Sequence, residues 1–294
     1  MTDIRQSEQY AKFMNDLGWQ IEKLDQNIIF LKKFLIVCFF AKIPKYQQLI
    51  DPNKLIKYKK QKRIFRLKLS PNLFINSNQY LNHRDKLIKS GFKIDQNPFN
   101  PTTTILIDLT QSQNTIFNNF SEAKRRGVRR AIKNNIIVNT SDNLESFINI
   151  RKKQYQPLGF LLINEMKKLW KNFFPYNASL LLAYPSSYKS IAQIPATASI
   201  CVTDPVAGIL LLFYDNVAYY WYASALPVGK KLFAPTLLVW EALKFSKKRG
   251  CKVFDFEGIC DERFPEASQP WKGFTKFKEG FGGRKIVLSE NFFI

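Results

Sequence analysis

Two rhythms of hydrophobic and polar positions run along the chain and predict its helices and strands. Apolar positions recur every three or four residues in the segments that we expect to be helices, which are residues 7–17, 79–91, 113–135, 141–154, 236–249 and 271–281. Alternating or continuously apolar runs predict strands at 28–40 (two strands), 64–69, 105–109, 136–138, 179–184, 196–202, 207–214, 217–223, 251–258 and 285–294. Residues 44–49 are expected to form a turn and to begin a further helix.

Strand and helix alternate twice, in two stretches of similar length. This order predicts an α/β fold of two subdomains, with a hinge at the polar residues 140–144. The first subdomain is expected to span residues 1–143 and the second residues 144–283.

The balance of charges narrows the class of partner. The chain of 294 residues has 45 Lys and Arg but only 23 Asp and Glu, a formal net charge of +22. Such a field attracts nucleic acid, anionic lipid or phosphorylated substrates. The hydrophobic fraction of 46% excludes a wholly disordered or fibrous chain.

The terminus and the apolar runs indicate a cytoplasmic protein. The first thirteen residues are polar and contain no apolar core of a signal peptide. The most apolar early run, 34–41, is too short to span a bilayer, which needs about 20 residues.

Histidine and cysteine usage excludes several kinds of catalytic site. His83 is the only histidine and lies in a polar amphipathic stretch, where a surface position is expected. The cysteines are far apart, so a zinc site is not expected. Cys38 and Cys201 lie in apolar runs that favour buried, reduced thiols, and Cys260 has acidic neighbours that oppose a thiolate.

Four segments carry candidate chemistry. Residues 227–235, PVGKKLFAP, are the nearest thing to a phosphate-binding turn, but a single glycine favours an ordinary connecting loop. Residues 124–133, KRRGVRRAIK, place six cations around one helix with no carboxylate among them, which is mildly destabilising unless a polyanion binds. YYWY at 219–222 places Tyr220 and Tyr222 on one strand face. In WKGFTKFKEGFGG at 271–283, the spacing buries the aromatic residues and leaves Lys278 near a helix end.

The last of these segments resembles a signature of the FemAB/FemX family, the non-ribosomal peptidyltransferases that build peptidoglycan cross-bridges. The resemblance continues in order over roughly residues 5–290. Its pieces are GWQIEKL at 18–24, TTTILIDL at 102–109, the basic helix with the following strand, YWYASAL, LLVWEALKFSKKRGCKVFDFEGI and WKGFTKFKEGFGG.

The resemblance implies a fold and an activity. Members of the family are similar to acetyltransferases of the GNAT type and have two such subdomains in tandem. They transfer an amino acid from aminoacyl-tRNA to an amine on the stem peptide of a peptidoglycan precursor, which is lipid-linked or UDP-linked. No metal or other cofactor is implied. The resemblance also implies that residues 284–294 return to the first subdomain, and that the chain is the shorter type without a coiled-coil arm.

The resemblance also assigns roles to residues. Lys278 occupies the place of the lysine near the tRNA ester, where a cation can stabilise an oxyanion, with Phe277 against the acceptor end. Asp108 matches the acidic residue near the acceptor amine. Tyr220 and Tyr222 are candidates for contacts to the muramyl-peptide. The basic helix, including Lys124, Arg125, Arg129 and Arg130, suits phosphate or tRNA contacts.

Departures from the family pattern leave the acceptor open. Ile163 stands near the expected phosphate-binding arginine, for which Arg151 or Lys167 are possible substitutes. Tyr10 stands where Trp is common, and Ala223 replaces a glycine.

Two alternatives remain: an acyl-CoA N-acyltransferase acting on another amine, and a non-enzymatic RNA- or membrane-surface-binding protein. We expect a monomer, with peripheral contact to the inner membrane face as a further expectation from the charge.

Overall fold

The described chain of the computed structural model forms two compact units and covers residues 2–34, 38–186 and 204–294. The first unit comprises Met1–Ile105, Glu257–Thr275 and Lys285–Ile294, and the second comprises Leu106–Phe256 and Lys276–Arg284. The hydrophobic pattern predicted the division near residue 143. The contacts assign 106–143 to the second unit, because residues 136–141 pair with strand 178–185 of that unit's sheet.

The elements are numbered here in chain order. The helices are α1 Glu8–Asp16, α2 Pro52–Gln61, α3 Asn78–Lys89, α4 Gln113–Asn118, α5 Glu122–Lys133, α6 Leu144–Gln154, α7 Ile163–Phe173, α8 Pro227–Lys231, α9 Ala234–Lys248, α10 Pro265–Ser268 and α11 Lys272–Glu279. The strands are β1 Gln20–Leu24, β2 Asn27–Phe34, β3 Cys38–Tyr46, β4 Ile64–Pro71, β5 Lys93–Ile94, β6 Thr103–Asp108, β7 Ile136–Ser141, β8 Ala178–Pro185, β9 Ala207–Tyr214, β10 Val217–Ala225, β11 Val253–Gly258, β12 Arg284–Val287 and β13 Phe292–Phe293.

A six-stranded sheet in the order β1-β2-β3-β4-β13-β5 organises the first unit. The β3–β4 pair is parallel, and the C-terminal strand β13 pairs antiparallel with both β4 and β5. Phe292 is fully buried opposite Leu69 and Ile94, so the chain end closes this core. The resemblance implied a return of residues 284–294: β13 pairs in this sheet, whereas β12, Arg284–Val287, is a strand of the seven-stranded sheet.

A seven-stranded sheet in the order β12-β6-β11-β10-β9-β8-β7 organises the second unit. Strand β9 is buried along seven of its eight residues, which explains why its sequence is a continuous apolar run. The amphipathic helix α9 packs on β7, β8 and β9 and also against α5, while α6 packs against β9 and β10. Each fully buried leucine of these strands contributes about 1.5–3 kcal/mol.

Several sequence predictions were wrong in instructive ways. The single helix expected at 113–135 is two helices, because Ser121 ends the first segment and caps α5 by accepting from the Lys124 N–H. Residues 44–46 continue β3 rather than beginning a helix. His83 is buried, not on the surface: its Nε2 lies 2.9 Å from the Tyr46 hydroxyl, and burial lowers its pKa to about 4.

The cysteine expectations have mixed outcomes. The Cys38 thiol is half-buried rather than buried, and it donates to the Phe34 carbonyl at 2.8 Å. Cys201 and the strand expected at 196–202 lie outside the described residues. Within the described part of the chain, no helix is long and apolar enough to cross a membrane.

Candidate functional site

Two parallel strands part in the middle of the second unit's sheet. The register of β10 and β11 ends at the pair Tyr219–Asp255. On the other side of β10, the register with β9 shifts between Tyr220 and Tyr222, which marks a bulge at Trp221. Bulges re-aim side chains and end pairing, so this point of the sheet is a natural place for a site.

Lys278 lies at this point as a buried cation. Helix α11 turns Lys278 inward, while Phe274 and Trp271 of the same segment are exposed. The expectation that the helical spacing buries all of these aromatic residues was therefore wrong; Phe281 is the one that is fully buried. The helix that carries the signature thus places a cation, not an aromatic ring, against the sheet.

The Tyr220 ring lies beside Lys278 and packs on a neighbouring aromatic ring. The Lys278 Nζ lies 5.7 Å from the centre of the Tyr220 ring, close enough for a cation–π attraction. Tyr220 also packs on Phe256, with ring centres 5.5 Å apart. Burial raises the pKa of the Tyr220 phenol well above its usual range, so the phenol stays neutral and can donate a hydrogen bond.

Lys124 and Phe277 form the second part of the cluster. The Lys124 Nζ lies 3.7 Å from the centre of the Phe277 ring and 4.9 Å from that of Phe281. The stem of Lys124 lies against Gly280, where an added Cβ would come within 2.7 Å of its Cε. Burial lowers the pKa of the Lys124 ammonium to about 8. A smaller fraction of this group is therefore protonated near neutral pH than for an ordinary lysine.

Tyr222 leads to a polar group that the sequence only partly indicated. Its hydroxyl donates to Glu165 Oε1 at 2.8 Å. The Arg151 guanidinium lies 5.6 Å from the Tyr222 ring and 4.9 Å from the Tyr155 ring. Sequence reasoning missed Glu165 and Tyr155, because an acid in the first turn of a helix is ordinarily explained by the helix dipole.

The family pattern places a phosphate-binding arginine near residue 163, and the structure indicates which other cation could replace it. Ile163 begins α7 and offers no charge. Lys167 forms an exposed ion pair with Glu145 at 2.6 Å, so it is already engaged. Arg151 lies beside the tyrosine strand, which favours Arg151 over Lys167 as the substituting cation.

The cations of α5 divide into structural and exposed groups. Arg125 Nη1 donates to the carbonyls of Asn118 and Phe120, which fixes the turn between α4 and α5. Arg126 pairs with Glu122 at 3.3 Å, a partner just outside the segment considered in the sequence. Arg129 and Arg130 are exposed, which leaves them accessible to a polyanion.

Asp108 is the last residue of β6 and belongs to the second unit. Its carboxylate accepts hydrogen bonds from the N–H and the hydroxyl of Thr110, and the Thr110 hydroxyl bond is the main reason that its pKa is lowered. The Lys247 Nζ donates to the adjacent Leu109 carbonyl and also lines a cavity of about 510 Å³.

Residues 227–235 form helices rather than the connecting loop that was expected. They contain α8 and the start of α9. The N–H groups of Lys230, Leu232 and Phe233 are already bonded to the carbonyls of Leu226, Val228 and Lys230. A phosphate cradle needs free N–H groups at such a turn, so these three N–H groups do not contribute to one.

The structure brings together Lys278 with Tyr220, and Lys124 with Phe277. It places Tyr222 with Arg151 and Glu165 farther along β10, and Asp108 with Thr110 at the end of β6. The roles that the resemblance assigned to these residues stay predictions.

Comparison with solved structures shows the fold. The crystal structure of FemX superposes with a TM-score of 0.78 at 16% identity, covering 99% of this chain and 92% of that one. The structure of L-PGS from Bacillus licheniformis has a TM-score of 0.56 at 12% identity, with 96% and 84% covered. A tandem GNAT protein from the clavulanic acid biosynthesis pathway has a TM-score of 0.52 at 8% identity, with 91% and 78% covered. The predicted α/β fold with tandem GNAT-like subdomains is confirmed.

Comparison of sequences bears on the family. No curated protein matches the chain. The FemAB family pattern matches residues 201–288, a stretch that contains Tyr220, Tyr222, Phe277 and Lys278. The resemblance stated from the sequence is thereby confirmed: residues 201–288 match the FemAB family model, and the whole chain has a fold similar to that of FemX.

Proposed function

We propose that the chain is an aminoacyltransferase that moves an amino acid from aminoacyl-tRNA to an amine on the stem peptide of a peptidoglycan precursor. The FemAB match and the tandem GNAT fold support a transferase. The charge of +22 supports two polyanionic substrates, a tRNA and a phosphorylated precursor. In this proposal the aminoacyl-tRNA is a co-substrate, and no metal or other cofactor takes part.

The buried Lys278 beside Tyr220 carries the proposal. An aminoacyl ester is already activated, so the enzyme has to bring the amine and the ester together and stabilise the oxyanion. The amine nitrogen bonds to the ester carbonyl carbon, the bond to the ribose oxygen breaks, and that oxygen takes up the proton that the amine loses. The Lys278 ammonium is suited to the oxyanion, because attraction between opposite charges is stronger at a buried position than in water.

The other predicted residues take supporting roles in the proposal. Phe277 offers a ring to the acceptor end of the tRNA, and exposed Arg129 and Arg130 offer charge to its phosphates. Tyr220, Tyr222 and Arg151 face the precursor. Asp108 orients the acceptor amine, as the resemblance implies, and Asp108→Asn should lower turnover if it does so.

The acyl-CoA alternative is weakened by the helices at 227–235. A CoA-dependent enzyme needs a turn that binds the pyrophosphate, and here the N–H groups of Lys230, Leu232 and Phe233 are engaged in helical bonds. Acylation of an amine from acetyl-CoA, without tRNA, would restore this alternative. A non-enzymatic RNA- or membrane-binding protein explains the charge but gives no reason for a buried lysine on a tyrosine ring.

Replacement of Lys278 tests the proposal directly. Lys278→Met keeps the length and apolar character of the side chain and removes the cation, so turnover should fall by about 10²–10³. Lys276→Met is the matched control, since Lys276 is exposed on the same helix and its loss should leave turnover nearly unchanged. Near-normal transfer by a folded Lys278→Met protein would contradict the assigned role.

The tRNA partner is tested by binding. Affinity for tRNA should fall steeply with salt, because each phosphate contact releases counterions. Arg129→Glu with Arg130→Glu should weaken tRNA binding, whereas Lys86→Glu with Lys89→Glu, on the exposed face of α3, should have a smaller effect. A flat salt dependence would contradict the choice of tRNA.

A further inference from the structure

The connection between α6 and α7 exposes an unusual run of apolar side chains. Leu158 is 59% exposed, Phe160 61%, Leu161 50% and Leu162 43%. Single exposed hydrophobic residues are common on soluble proteins, but four within five positions form a continuous apolar tip, which typically marks an interaction site. We name residues 158–162 the apolar loop.

The apolar loop is held in a fixed place rather than trailing away from the protein. Gly159 packs so closely on the last turn of α6 that an added Cβ would lie 2.6 Å from the Lys152 backbone carbonyl oxygen. The Leu161 N–H donates to the Leu158 carbonyl, and the Leu162 carbonyl accepts from the Met166 N–H at the start of α7. The loop therefore presents its side chains from two anchored ends.

Basic residues lie beside this apolar tip. Lys152 and Lys153 are exposed on the turn of α6 against which Gly159 packs. Residues 149–168 contain five basic residues, of which Lys167 is paired with Glu145, and one acid, Glu165, which is bonded to Tyr222. An apolar tip with lysines beside it complements an anionic bilayer, because the tip enters the acyl boundary while the lysines meet the headgroups.

We propose that the apolar loop and its lysines dock the protein on an anionic lipid surface. The same two helices carry Arg151 and Glu165, which line the tyrosine strand. Docking here would bring that strand close to a lipid-linked acceptor. This last step rests on the proposed function; the docking itself does not.

Vesicle binding tests the docking on the full chain. We would measure co-sedimentation with phosphatidylcholine vesicles containing about one third phosphatidylglycerol, and with pure phosphatidylcholine. Phe160→Ser with Leu161→Ser should weaken binding to the anionic vesicles at least about tenfold, given the worth of buried apolar side chains. Lys152→Glu with Lys153→Glu should do the same, at about fivefold or more for each charge removed.

Matched controls separate the loop from general charge and stickiness. Phe74→Ser removes an exposed phenylalanine of the first unit, and Lys57→Glu with Lys60→Glu changes the net charge equally on α2. Each control should change vesicle binding by less than about twofold. Equal losses in loop and control variants would overturn the proposal, as would unchanged binding by the loop variants.

Two further readouts distinguish the possible failures. If the loop variants lose tRNA binding and keep vesicle binding, the surface is a nucleic-acid surface and the docking proposal is wrong. If the wild type binds anionic vesicles through the loop but transfers no amino acid, docking stands and the proposed function fails. If the wild type both docks through the loop and transfers an amino acid, the loop variants should transfer normally to a UDP-linked precursor and poorly to a vesicle-embedded one.

Discussion

Replacement of Gly282 by alanine is expected to damage both the stability and the site of the second unit. Gly282 follows Phe281 and has a φ of +74°, in the left-handed region that favours glycine. An added Cβ would lie 2.6 Å from the carbonyl oxygen of Asn119. That contact is with backbone, so no side-chain rotation can relieve it.

Gly250 provides a matched control within the same unit. It has a φ of +89°, but an added Cβ would meet nothing within 4 Å. Gly250→Ala should therefore cost only the left-handed backbone term, about 1–2 kcal/mol. Gly282→Ala adds the displacement of packed backbone, typically 1–3 kcal/mol more, for a total of about 2–5 kcal/mol.

The effect on the site follows from the neighbours of Gly282. The Gly280 carbonyl accepts from the Ser121 N–H at 2.8 Å, and the Phe281 ring packs 5.1 Å from that of Phe120. A shift of this turn moves the end of α11, which carries Lys278. Turnover should fall in Gly282→Ala and stay close to wild type in Gly250→Ala.

Denaturant unfolding and a transfer assay on the same preparations measure both effects. The free energy of unfolding should separate the two variants by at least about 1 kcal/mol. Equal destabilisation would show that the approach of Gly282 to Asn119 has no energetic importance. The reasoning would also fail if Gly282→Ala were destabilised without any change in turnover.

Three other predictions concern individual side chains. Acetic anhydride should label Lys124 with a midpoint near pH 8, and a midpoint near the ordinary lysine value of about 10.4 would contradict its burial. Tyr222→Phe removes the hydrogen bond to Glu165 and should lower the free energy of unfolding by about 0.5–1.5 kcal/mol; Glu165→Gln keeps an acceptor and should cost less in the same titration. Burial lowers the pKa of His83 to about 4, so the unfolded chain binds the proton first and stability should fall as the pH drops from 6.5 to 4. Unfolding titrations across this range should show a smaller loss in His83→Gln, and an equal loss would refute the assignment.

Periodicity predicted most elements of the fold, because burial on one face imposes it. Strands such as β9 and β10 and helices such as α3 and α9 follow the pattern closely. The pattern failed at residues 113–135, where the N-cap Ser121 divides a long amphipathic run into two helices. It also failed for His83, because the helical pattern does not reveal that the buried Tyr46 hydroxyl is a hydrogen-bonding partner for this side chain.

The candidate site was only partly predictable. Lys278 and Phe277 were found through the family signature, and the tyrosines through the aromatic strand. Glu165 and Tyr155 were missed, since their meaning comes from the fold that brings α6 and α7 beside β10. The sequence also did not show that Arg125 holds a turn while Arg129 and Arg130 are exposed. A basic run does not reveal which guanidinium groups bind backbone carbonyls.

The central claim is tested most directly by an assay of transfer from charged tRNA. Purified protein would be offered a pool of charged tRNAs or acetyl-CoA, each with UDP-linked and lipid-linked muramyl-pentapeptide, and the precursor would be weighed by mass spectrometry. The account predicts a mass increment of one amino acid that requires tRNA and is lost in Lys278→Met. Acylation from acetyl-CoA with no transfer from tRNA would contradict it.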